Sequence, residues 1–171
     1  MPEKKAIPTL EEVALQYCQG DTLKAILDFN TFLTENGLKA KKGSGASKNF
    51  QVRYKSKLLC KLKITGKDFW TVSIALYKEF TDTETFEKRI TGEQRELLLN
   101  KFCTEKPCVF SYGPCTARGT EFLGKNYDAF CNCNPFRQSN PTANELEFTK
   151  QFILLYKKIL DDIAAEKKAT K

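Results

Sequence analysis

Histidine is absent from the 171 residues of this chain. That removes imidazole bases, His-containing metal sites and the usual side-chain proton switch near neutral pH. Methionine and tryptophan occur once each. No run approaches the roughly 18 uninterrupted apolar residues that a membrane helix needs. The opening stretch MPEKKAIPTLEE lacks the apolar centre of a secretory signal, so the expected compartment is the cytoplasm, where thiols stay reduced. No P-loop, dinucleotide fingerprint, nucleophile elbow or kinase motif set occurs. The paired carboxylates Glu11-Glu12 and Asp161-Asp162 read as solvated helix-surface charge. A cysteine nucleophile without His would need a lysine or a helix N-terminus to activate it, and nothing marks one out. These absences favour a binding or structural role over an enzyme.

What is present suits one ordinary domain spanning residues 1–171, with loose ends at 1–8 and 166–171. Hydrophobic residues make up 41% of the chain, enough for a proper core. Thr9 with Glu12 forms a capping box and opens a short helix to about Cys18. Asp21 is placed to cap a second helix, which Asn36-Gly37 stops. Residues 39–49, KAKKGSGASKN, read as a basic loop without periodicity. Then FQVRYKS, LLCKLKIT and the run from Trp70 to Tyr77 alternate apolar with polar residues. Three such runs joined by tight turns predict an antiparallel meander over 50–77. Further capping boxes at Thr91/Gln94 and Thr142/Glu145 open two more helices. The last carries an apolar stripe of Leu146, Phe148, Phe152, Leu155, Ile159 and Ile163. The Gly-, Pro- and Cys-dense stretch between them leaves room for short strands at 108–112, 121–123 and 129–133. The fold expected is two-layer α+β: the meander, extended by short strands from 107–133, packed against N-terminal and C-terminal helices.

Charge is distributed unevenly. From Gly37 to Lys63 there are nine basic residues and no acid, whereas the whole chain is +7, so the remainder sums to −2. Arg53, Lys55, Lys61 and Lys63 fall on the polar phase of two adjacent strands, and Lys41 and Lys42 lie in the loop that leads into them. A focused positive face attracts an anionic ligand, nucleic acid or an acidic protein. The alternative is a solvated sheet face whose lysines discourage edge pairing.

The seven cysteines are also uneven. Cys18 and Cys60 stand alone, while Cys103, Cys108, Cys115, Cys131 and Cys133 crowd into 31 positions. Cys108 and Cys115 bracket a Tyr112-Gly113-Pro114 turn, and Cys131 and Cys133 share a face if extended. Cys108, Cys115, Cys131 and Cys133, with Cys103 in reserve, therefore form a candidate tetrahedral zinc site. Two other readings stay open: small buried hydrophobes, and a redox-active thiol beside Lys106, Arg118, Lys125 or Arg137.

The segments PCVFSYGPC and FLGKNYDAFC, with KNFQVRYKSKLLCKLKI upstream, resemble a family of small uncharacterised bacterial proteins. That family carries P-C-x-x-C-G-x-C, then L-G-K-x-F and V-C-H, after W-K-V-x-Y-K-G-K-x-V-C-Y-I-x-I. The resemblance spans Asp21 to Ile159 with gaps and maps Cys108, Cys115 and Cys131 onto three of the family's cysteines. Ser111 falls near its middle cysteine, and Asn132-Cys133 stands where it has His. The helix–meander–helix order is also similar to the YdhG/YjbR-like α+β domains. The resemblance implies a fold and a ligand set, and brings no activity with it.

Overall fold

A computed structural model describes residues 7–43, 48–74, 87–101, 118–130 and 136–170. Among the described residues, four helices and a five-stranded antiparallel sheet establish the α+β class. The helices are α1 (Leu10–Tyr17), α2 (Gly20–Glu35), α3 (Gly92–Lys101) and α4 (Ala143–Ala169). The strands are β1 (Ala40–Lys42), β2 (Asn49–Tyr54), β3 (Lys57–Ile64), β4 (Trp70–Ile74), β5 (Arg118–Phe122), β6 (Lys125–Phe130) and β7 (Phe136–Ser139). Contacts group the chain into two compact units, Met1–Val72 with Gln138–Leu160, and Ser73–Arg137 with Asp161–Lys171.

In the first unit the capping boxes act as written. The Thr9 hydroxyl accepts from Glu12 N–H while the Glu12 carboxylate accepts from Thr9 N–H at 2.7 Å, which satisfies two otherwise orphaned donors at the start of α1. Thr142 and Glu145 do the same for α4. The start of α2 differs from expectation: its N-cap is Gln19, which makes no side-chain cap bond, and Asp21 lies inside the first turn. The missing acceptor comes from Asp68, whose carboxylate accepts from Gln19 N–H at 2.6 Å. A negative charge there also complements the positive end of the helix.

The sheet runs β1-β2-β3-β4-β7. Two strands differ from the sequence reading. The supposed aperiodic loop 39–49 contains β1, whose three residues are too few to display a period. The fifth strand is β7, beyond the 107–133 stretch expected to supply it. The core is built from Phe50, Val52, Cys60, Leu62, Ile64 and Trp70 of the sheet, with Ile26, Phe29 and Leu33 of α2 and Phe152 and Tyr156 of α4, all buried. Phe29 meets Trp70 at 6.3 Å between ring centroids. In α4 the expected stripe holds at Leu146, Phe152 and Ile159, but Phe148, Leu155 and Ile163 are only half-buried, and Thr149, Ile153, Tyr156 and Leu160 complete the buried face.

In the second unit, β5 and β6 pair with each other in a separate two-stranded sheet rather than joining the meander. Their turn, Leu123-Gly124, has positive φ at both residues, the geometry whose twist matches paired strands. Arg95 of α3 donates from Nη2 to the Leu123 carbonyl. The tail expected to fray from residue 166 is helical to Ala169, and in it Glu166 accepts at both carboxylate oxygens from Arg89 Nη2 at 2.6 Å. No helix among the described residues is long and apolar enough to cross a membrane.

Candidate nucleic-acid interface

Cross-strand partners in an antiparallel sheet share a face, so the register sorts the basic residues. Lys41 pairs with Gln51 and Gln51 with Lys61, placing Lys41, Gln51 and Lys61 in one row across β1, β2 and β3. Asn49 pairs with Lys63 in the next row. Arg53 continues the same phase of β2. With strands roughly 4.8 Å apart, the Cα atoms of Lys41 and Lys61 stand roughly 10 Å apart, and those of Lys61 and Lys63 roughly 6.7 Å along the strand. Lys41, Arg53 and Lys61 are exposed, and Lys63 is partly so. Among the described residues, the side chains of Lys41, Lys61 and Lys63 make no ion pair or hydrogen bond. Four cations thus share one sheet face with two amide side chains and no carboxylate.

Two expected members are elsewhere. Lys55 is in the β2–β3 turn rather than on the polar phase of a strand, because Tyr54 pairs with Lys57 and leaves Lys55-Ser56 as a two-residue loop. Its ammonium lies 5.5 Å from the Tyr54 ring, which Lys157 of α4 also approaches, at 5.2 Å. Lys42 pairs with Phe50 and so belongs to the opposite face. Lys48 is engaged with the Tyr17 ring at 3.5 Å.

A bulge shapes the Arg53 end. The register shifts between Val52, opposite Cys60, and Arg53, opposite Leu58, so Leu59 is an extra residue of β3. This breaks the expected alternation, and Leu58, Leu59 and Cys60 are buried in succession. Arg53 is held in place: Nε donates to Gln51 Oε1 at 3.1 Å, and Nη1 donates to the Ser56 carbonyl at 3.1 Å. Gln51 was not singled out from the sequence, although its spacing of two from Arg53 puts both on one face of a strand.

The five clustered cysteines Cys103, Cys108, Cys115, Cys131 and Cys133 lie outside the described residues. No group of three or more metal-ligating side chains occurs among those described. Cys18 and Cys60 are buried free thiols. Burial pushes Cys60 far above the ordinary thiol range, and burial, followed by the charge of Asp68, raises Cys18. Neither is a reactive thiolate at neutral pH. A cleft of about 300 Å³ in the first unit is lined by Asp21, Lys24 and Asp28 of α2 and by Asn140 and Thr142. Its mixed charges single out no ligand. No family model, curated protein or solved structure matches the chain.

Proposed function

We propose that this protein is a binding module that engages the phosphate backbone of nucleic acid through the basic face of β1, β2 and β3. The observation that carries the reading is the set Lys41, Arg53, Lys61 and Lys63 on one face, with Gln51 and Asn49 between them and no acidic neighbour in the rows. Each cation that meets a phosphate releases condensed counterions, and this drives sequence-independent binding. Amide side chains add phosphate hydrogen bonds that fix position without reading bases. Such a face suits the regular backbone of a duplex.

The test is fluorescence anisotropy with a labelled mixed-sequence duplex of about 20 base pairs at about 50 mM salt. The parent protein binds, and the double variant K61E/K63E loses at least about thirtyfold in affinity. Equal binding by the two proteins overturns the reading.

The cysteine crowding supports a second, compatible feature: a structural zinc held by Cys108, Cys115, Cys131 and Cys133, with Cys103 as substitute. Its support is the contrast between five thiols within 31 positions and two isolated thiols that are simply buried. Elemental analysis of protein purified without chelator checks it. One zinc per chain is expected, and metal-free protein with all seven thiols titratable after unfolding removes the idea.

A further inference from the structure

The four cations of the basic face are not equivalent. The three lysines carry compact charges on long flexible stems, which attract phosphate without fixing its orientation. Arg53 is different because it is already oriented. Two of the five N–H donors of its guanidinium are committed, Nε to the Gln51 side chain and one Nη1 hydrogen to the Ser56 carbonyl. The others, on Nη1 and Nη2, have no partner among the described residues, and the side chain is exposed.

The acceptor at Ser56 belongs to an unusual turn. Lys55 and Ser56 take φ of 45° and 66°, a conformation that costs an L-residue roughly 1–2 kcal/mol and usually recruits Asn-Gly. This turn presents the Ser56 carbonyl to Arg53. The bulge beside Arg53 adds local twist, a device that re-aims a side chain.

Resting on the reading above, we infer that Arg53 is the phosphate-orienting residue of the face: a guanidinium fork, set in place by Gln51 and Ser56, that takes two oxygens of one backbone phosphodiester. Gln51 acts as its positioning residue. The fork loses little rotamer entropy on binding because the protein has already restricted it. The lysines supply attraction, and Arg53 supplies the geometry.

The experiment uses the same labelled duplex, titrated across about 50 to 200 mM salt, with the parent, R53K, Q51A and K61E/K63E. R53K conserves charge and Q51A removes none, so neither alters the count of neutralised phosphates. Both should keep the parent's salt slope while losing affinity, about tenfold for R53K and about threefold for Q51A, at an unchanged thermal midpoint. Binding by either variant within twofold of the parent overturns the inference. If that happens while K61E/K63E still loses its affinity, the basic face stands and Arg53 is one charge among four. If K61E/K63E binds as the parent does, the reading of the face falls and the orienting role with it. Should R53K lose its thermal transition, Q51A decides alone, since it leaves the arginine in place.

Discussion

The molecule has two hairpins of the same design that use an arginine in opposite ways. Both β2–β3 and β5–β6 close through two residues with positive φ, and in both an arginine donates to a turn carbonyl. In the second hairpin the arginine arrives from another element. Arg95 of α3 grips the carbonyl of Leu123, a residue with no exposure, and its other nitrogen pairs with Glu96 at 3.1 Å. That guanidinium is consumed by architecture. In the first hairpin the arginine belongs to the strand itself. Arg53 bonds to neutral groups only and stays exposed among cations. The contrast teaches how to separate a structural arginine from an available one: by what balances its charge.

The largest expected effect lies beneath the first hairpin. Phe50 is fully buried on the face opposite the lysines, so Phe50→Ala should cost about 3–5 kcal/mol in urea unfolding. Lys61 and Lys63, which flank its cross-strand partner Leu62, should leave stability within about 0.5 kcal/mol when neutralised. The arginines come next. Arg95→Met leaves the part-buried Leu123 carbonyl without its donor and should cost about 1–3 kcal/mol, with duplex affinity unchanged. Arg53→Met should do the reverse, weakening binding while the unfolding midpoint barely moves. A third pair of substitutions should have opposite signs. Ser56→Gly removes the strain of φ 66° and should stabilise the fold by up to about 1 kcal/mol. Gly124→Ala should destabilise it by a similar amount, because its φ is 70° and the new methyl meets Arg95 Nη2 at 3.2 Å.

The last prediction concerns pH. Cys60 and Cys18 hold their protons more tightly folded than unfolded. Above the ordinary thiol range, near pH 8.5, the unfolded chain releases protons that the folded chain keeps. Stability should therefore hold below that range and fall as pH rises through it, most steeply on account of Cys60, by at most about 1.4 kcal/mol per unit for that thiol, with a smaller contribution of the same sign from Cys18. Urea midpoints between pH 7 and 10 measure this, with serine at each position as control.

Local signals were legible in the sequence. The three capping boxes are there, and so is the meander as far as Ile74, its last expected residues, 75–77, lying outside those described, because each depends on residues a few positions apart. So was the separation of Lys61 and Lys63 from Leu62 and Ile64, which follows from strand alternation. What was hidden depends on distant partners. Asp68 serves the start of α2 from 49 residues away, and no helix-start rule reaches that far. The bulge at Leu59 is invisible because leucine fits either phase of a strand. Lys42 and Lys55 looked equivalent to Lys41 and Lys61 until register and turn assigned them elsewhere. Gln51 carried no charge to draw notice, and its role emerges only once Arg53 is seen to donate to it.

The most direct measurement of the central claim is the salt dependence of duplex binding. Four cations, each neutralising one phosphate, predict a slope of log affinity against log salt of about −3.6, falling to about −1.8 in a K61M/K63M double variant. A parent slope near zero, or a slope that the double variant leaves untouched, would contradict the assignment of this face to a phosphate backbone.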